Sequence, residues 1–289
     1  MTEFRRAAGV ALVGAFLALA ACTSPTEDAA PPSSSSTTAS PSPSVQGRLG
    51  TTDEGDVVTP APTNRDCHRL GAEDLVRLSN DTDPVSCRGG HNAHTIHVGE
   101  LDATHGRPVD IDSAAVRVAL STTCRRELAS YLGGNRSTRA LSRFRVVWFS
   151  PTQQQADAGA SWFRCDLIAF AGNEDLIRLP PPGRLAGVLD NPGALQKYGL
   201  CGTAAPGAAG FARVICAQPH SWRAISTIPV GGTGKYPGTR AVRTAGDEKC
   251  RDRVLARSGS PLRFRYGWEW PTEDQWLHGQ RYGYCWAPD

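Results

Sequence analysis

The stretches RFRVVWFSPTQQQADAGASWFRC, residues 143–165, and RFRYGWEWPTEDQWLHGQRYGYC, residues 263–285, decide how this chain is organised. Both open on Arg-Phe-Arg, carry Trp, Pro-Thr, Gln and Gly at matching places, and close on Cys. A match of this kind implies a tandem duplication, which must then show upstream as well. It does. Apart from Cys22, the cysteines fall four and four, at 67, 87, 124 and 165 and then at 201, 216, 250 and 285. The second of each set opens a Cys-x-x-x-His stretch, CRGGH at 87–91 and CAQPH at 216–220. The third opens CRREL in one half and CRDRV in the other.

Local pattern suggests how these cysteines pair. DSAAVRVALSTTCRRELASYLGG, residues 112–134, reads as a helix capped by Asp112 or Ser113 and ended by Gly133. Val116, Leu120, Cys124, Leu128 and Tyr131 recur on one face, which buries Cys124. Val242, Cys250 and Val254 repeat the pattern before Gly259, with Gly246 as a weak point. The segments around Cys165 and Cys285 are rich in Trp, Phe and Tyr and read as strands. Four cysteines per half allow three pairings, and spacing alone does not choose among them. Joining each helix cysteine to the strand behind it gives Cys124–Cys165 and Cys250–Cys285, which leaves Cys67–Cys87 and Cys201–Cys216. In the chain-entropy account each bridge is worth about 3–4 kcal/mol, a sizeable share for domains of about 100 residues. The expected fold is α+β: two tandem small domains, each an antiparallel sheet with one packed helix and two disulfides, at 64–172 and 196–289. Residues 173–195, with PPPG and NPG, form a linker or a domain-edge excursion.

The formal net charge of +3 is too small to argue for a nucleic-acid partner. Three of the 31 basic residues are Lys, a bias expected of a GC-rich genome rather than of a basic functional surface. At the N-terminus, Arg5 and Arg6 precede the apolar run AAGVALVGAFLALAA at 7–21. The run is short for a bilayer span and ordinary for a signal-peptide core. It closes on Leu19-Ala20-Ala21-Cys22, which resembles a bacterial lipoprotein lipobox. That resemblance implies removal of residues 1–21 and lipidation of Cys22, anchoring the protein on the outer face of the cytoplasmic membrane. Residues 22–63, rich in Ser, Thr and Pro, bury too little apolar surface to order themselves and are expected to be a disordered stalk.

With these features assembled, each half resembles the septum formation domain of actinobacterial envelope proteins. The shared features are an early Cys, the Cys-x-x-x-His, a helix Cys, and a closing Pro-Thr…Trp-x-x-Gly-x-Arg…Cys. The second half carries that ending in full at Pro271, Thr272, Trp276, Gly279, Arg281 and Cys285. The first half keeps Pro151, Thr152, Gly159 and Cys165 but has Ala156 and Ser161 at the Trp and Arg positions. The resemblance implies an envelope location and a link to cell division or wall assembly. It implies no catalytic residues.

Three constellations remain. In HNAHTIHVGE, residues 91–100, strand alternation puts His91 and His97 on one face and His94 on the other, making His91 and His97 the candidate metal pair. The second half keeps only His220, and a histidine beside a paired cysteine is more often a framework residue, so no metal or other cofactor is expected. Arg263 and Arg265 flank a core Phe, and period two places Tyr266, Trp268 and Trp270 on one face. With Trp276 and Arg281 these form a candidate surface for a sugar ring or a partner's apolar patch. There is no G-x-S-x-G or H-E-x-x-H, and pairing of eight cysteines leaves no nucleophilic thiol, so an enzyme is not expected. The expected function is a lipid-anchored, non-enzymatic envelope protein binding a cell-wall polymer, a membrane component or a division-machinery protein. The alternatives are a solute- or metal-binding lipoprotein and a cell-wall-active enzyme with an unfamiliar site.

Overall fold

The computed structural model describes residues 61–102, 110–232, 234–260 and 262–289. The expected signal peptide, Cys22 and the expected stalk up to residue 60 lie outside the described residues. The first half runs β1 (Cys67–His68), β2 (Ala93–Glu100), α1 (Ala114–Leu132), α2 (Arg136–Ala140), β3 (Phe144–Phe149), α3 (Gln153–Asp157) and β4 (Trp162–Ala169). The second runs α4 (Ala194–Tyr198), β5 (Leu200–Gly202), β6 (Arg213–Ile215), β7 (Trp222–Pro229), α5 (Thr239–Arg257), β8 (Gly267–Glu269), α6 (Glu273–Leu277) and β9 (Tyr282–Pro288). Two antiparallel sheets result, ordered β1-β2-β4-β3 and β6-β5-β7-β9-β8.

The two halves repeat one another in detail. Both long helices, α1 and α5, have 19 residues. Both α3 and α6 open on a capping box, Thr152 with Gln155 and Thr272 with Gln275. The register of β2 on β4 shifts at Ile96 and that of β7 on β9 at Ile225, so each half carries a bulge at an equivalent isoleucine. Just after it, His97 faces Cys165 and Ser226 faces Cys285. The lone bridge between Cys67 and Val85 is the first half's counterpart of β6.

Ser113 caps α1 by accepting from the Val116 amide, and Gly133 ends it at φ 69°. The buried stripe of α5 is Val242, Gly246, Cys250 and Val254, one residue per turn. From those faces Cys124 reaches Cys165 and Cys250 reaches Cys285, while Cys67 joins Cys87 and Cys201 joins Cys216. Each of the first two bridges fastens a helix to the middle of its sheet.

Residues 173–195 are no free linker. Leu179, Leu185 and Leu189 are 3%, 0% and 3% exposed, packed with Leu132, Phe144 and Leu167 of the first half and Tyr198 and Ile215 of the second. The backbones are joined as well: Arg143 N donates to Tyr198 O at 2.8 Å, Leu200 N to Leu141 O at 2.7 Å and Ile215 N to Ala171 O at 2.7 Å. The two sheets therefore share a core, with the proline-rich segment as its third component.

Candidate functional site

Tyr266, Trp268 and Trp270 do share one side of the β8 region, but that side faces α5. The Tyr266 hydroxyl donates to Asp247 at 3.2 Å, the Trp268 indole N–H to the Val242 carbonyl at 3.3 Å, and the Arg243 guanidinium lies 5.4 Å from the Trp270 ring centre. Trp268 is 7% exposed, and a Cβ at Gly246 would fall within its indole. Trp276 is 1% exposed; its N–H donates to Gly234 O at 2.8 Å and Tyr236 meets it edge-on. The Arg281 guanidinium lies over the Trp276 ring, 4.1 Å from its centre, and donates to the Trp276 carbonyl. The expected aromatic platform is thus corrected: Trp268, Trp276 and Arg281 are framework. Alternation identified the shared face, and the helix covers that face because a small domain needs the apolar area for its core.

The histidines also depart from simple alternation. The bulge at Ile96 leaves both His94 and His97 on the α1 side, where His94 meets Tyr131 and His97 faces the α1-linked Cys165. Thr95 points the other way and donates to Asp166 at 2.8 Å. His91 is buried before β2 begins, so it and His97 do not form the expected pair along one strand face. Burial pushes the imidazoles of His68, His91 and His94 below the ordinary value. Among the described residues one trio, Cys201, Cys216 and His220, brings its ligand atoms within 4.8 Å of one another. Its two sulfurs are bonded to each other and offer no thiolate.

On the far side of the first sheet, Arg164 and Asp166 form a buried ion pair at 3.1 Å, and Arg164 also donates to Asn80 at 2.6 Å. At the equivalent positions the second sheet has Tyr284 and Trp286, which pack with Leu141, Leu200 and Trp222. Asn80 and Arg164 also line a cleft of about 440 Å³ with Asp66, His68, Asp81 and Asp83.

Two other grooves are basic. A groove of about 780 Å³ lies between the halves, with α1, α2 and β3 on one side and α6 and β9 on the other. Arg125, Arg136, Arg139 and Arg145 line it, against one acid, Asp274, which itself lies 3.5 Å from His278. Arg139 is held by the Gly133 carbonyl at 3.2 Å and by that of Gly134, and Arg145 by the carbonyls of Ser142 at 3.0 Å and Phe144 at 2.6 Å. Arg125 and Arg136 are exposed, with no ion pair among the described residues. Tyr282 and Tyr284 add hydroxyls, and burial raises the Tyr282 phenol, keeping it a neutral donor. Sequence reasoning missed this site because its walls come from both halves; its one local trace was the Arg-Phe-Arg at 143–145.

The septum formation family model matches residues 113–285, from the cap of α1 to the last cysteine. The chain belongs to the septum formation family. Every residue lining the inter-half groove falls within the matched region. A single match covers both long helices, where the sequence reading expected a family domain in each half. No curated protein and no solved structure matches it. No helix among the described residues is long and apolar enough to cross a membrane.

A second groove, of about 410 Å³, lies within the second half and includes two of the sequence-predicted residues, Arg263 and Arg265, both exposed. Arg223 and Arg257 complete its basic rim above Ile225, Val254 and Phe264. Asp289 pairs with Arg223 at 2.6 Å and His220 at 2.7 Å, and hydrogen bonds from these groups pull its carboxyl down to about 2.

Proposed function

We propose that this septum formation protein is a lipid-anchored, extracytoplasmic, non-enzymatic recognition protein of an actinobacterial envelope, and that it binds an anionic cell-wall polymer at the division site. The observation that carries this reading is the convergence of Arg125, Arg136, Arg139 and Arg145 on one groove between the halves. Guanidinium groups recognise phosphate and carboxylate through paired, directional hydrogen bonds. Two of the four are already fixed by backbone carbonyls, which reduces the ordering cost of binding. Beyond the bonds they already make to Thr272 and to the Tyr282 carbonyl, the Gln275 amide nitrogen and the Gln280 amide oxygen suit sugar hydroxyls.

Other features agree. Four disulfides belong to an oxidising compartment outside the cytoplasm, and the Leu-Ala-Ala-Cys22 ending supplies the anchor. Each half is read as a copy of one ancestral septum formation domain. The groove is read as a binding site because its lining, among the described residues, is cationic and amphipathic and includes no pair of carboxylates for acid–base work.

Imaging a fusion to a fluorophore that matures outside the cytoplasm tests the reading. The native chain is expected to concentrate at nascent septa. Cys22→Ser is expected to release it from the membrane. Arg136→Glu with Arg145→Glu is expected to leave it membrane-bound but evenly spread. Even distribution of the native chain, or septal enrichment indifferent to the arginine pair, would defeat the proposal.

A further inference from the structure

The two halves build the same seam between the C-terminal end of the long helix and the sheet, and they treat it differently. In the first half the seam is made by Ile96, Leu128, Tyr131, Leu132, Phe144 and Leu167. The chain's own residues 176–190 fill it with Leu179, Leu185 and Leu189. Hydrogen bonds fasten that segment at both edges. On the sheet side Ile177 N donates to Ala169 O at 2.9 Å and Leu179 N to His91 O at 3.0 Å. On the helix side Gly187 N donates to Tyr131 O at 2.8 Å, and the Asp190 carboxylate accepts from Gly134 N at 2.7 Å.

The disulfides and strand register place Ile225, Val254, Arg257, Ser258, Phe264 and Ala287 at those same six positions in the second half. There the seam is the 410 Å³ groove, and no described segment fills it. Its floor is still apolar, through Ile225, Val254 and Phe264. Its rim has become basic. Arg257 stands where Tyr131 does, and Arg263, the counterpart of buried Arg143, is exposed. Arg223 is committed to Asp289, while Arg257, Arg263 and Arg265 have no ion pair among the described residues.

We infer that this groove docks a segment of a partner protein that combines apolar side chains with acidic ones, seated as residues 176–190 are seated in the first half. The first half shows that a leucine-bearing chain fits such a seam. The unpaired arginines in the second half select carboxylates. An apolar floor gives a sugar phosphate nothing to bond and gives a leucine a place to leave water. This inference goes beyond the proposed function: the groove is separate from the one between the halves, shares no lining residue with it, and takes a different class of ligand.

The test uses the full chain and a fluorescent peptide copying residues 176–190 with Glu at the positions of Arg178 and Arg184, read by anisotropy. Saturable binding is expected, weakened about tenfold or more by Arg263→Glu with Arg265→Glu and weakened by added salt. A peptide with Ser at the positions of Leu179, Leu185 and Leu189 is expected to bind about tenfold less well or worse. Arg257→Glu serves as a second variant, with melting curves confirming that each variant is folded. Binding no better than a scrambled peptide, or indifferent to the arginines, would overturn the proposal. So would saturable arginine-dependent binding of inorganic polyphosphate or phosphatidylglycerol vesicles that excludes the peptide.

Discussion

A glycine inside a helix costs about 0.8–1.0 kcal/mol relative to alanine, yet Gly246 lies in the middle of α5. The cost is offset by fit: the Trp268 indole occupies the space a Cβ would need and hydrogen-bonds Val242 one turn earlier. Gly246→Ala is therefore expected to destabilise the protein by about 1–3 kcal/mol despite the gain in helix propensity, seen as a lower urea midpoint. In the sequence Gly246 reads only as a flaw, because its partner arrives from a strand beyond the next loop. Trp276 and Arg281 make the complementary case. They stack at 4.1 Å in the second half, and the first half has small residues, Ala156 and Ser161, at both places. Trp276→Ala is expected to cost about 3–5 kcal/mol, and a double-mutant cycle with Arg281→Ala should show coupling, since the guanidinium loses its ring when the indole goes. Purely additive losses would mean that the stacking contributes nothing.

Among the elements, β1 and β2 concentrate titratable groups in a way that ties stability to pH. His68 and His94 lie on these strands and His91 just ahead of β2, all buried, and all three have pKa values lowered by that burial. In the unfolded chain each returns to about 6.5. Below that value the unfolded chain binds protons that the native one refuses, so stability is complete above pH of about 6.5 and declines as pH falls toward the lowered native values. The melting temperature is expected to drop between pH 7.5 and 5.5, and His91→Asn should flatten that slope whatever it does to absolute stability. A melting temperature that rises on acidification would refute the account. Asp289 acts in a separate window: with its carboxyl pulled from 3.8 to about 2, its contribution is present above 3.8 and lost only as pH falls toward 2. Helices and strands differ in how far pattern reading carries. Cys124 and Cys250 recur with the buried faces of α1 and α5, so their strand partners could be named. The bulge at Ile96 has no residue-type signature, so the expected order of histidine faces did not survive it.

At the scale of the whole molecule, the decisive contacts join segments that sequence reading treated as separate. PPPG and NPG do mark turns, and they read as a linker or a domain-edge excursion. The buried leucines between them, at 179, 185 and 189, show the segment's role as core, but only the tertiary fold says what they pack against. The inter-half groove was illegible for the same reason, since residues of α1 and of α6 become neighbours only once the halves dock. A shared core has a thermodynamic consequence. Leu132 and Phe144 of the first half, Leu185 of the connecting segment, and Tyr198 and Ile215 of the second belong to one packed cluster. Neither half can lose its structure without exposing apolar surface of the other, so the described region is expected to unfold in one cooperative step. Calorimetry on the disulfide-bonded chain should give a van't Hoff enthalpy equal to the calorimetric one. Leu185→Ala should lower that single transition by about 2–5 kcal/mol of stability, because the side chain is fully buried and its neighbours are anchored on both sheets. Probes should move together: far-ultraviolet dichroism, to which α1 and α5 both contribute, and indole fluorescence, which draws on Trp148 and Trp162 of the first half and on five tryptophans of the second. Two resolved transitions, with only one shifted by the substitution, would show instead that each half carries its own stability and that the leucine segment belongs to the first half alone.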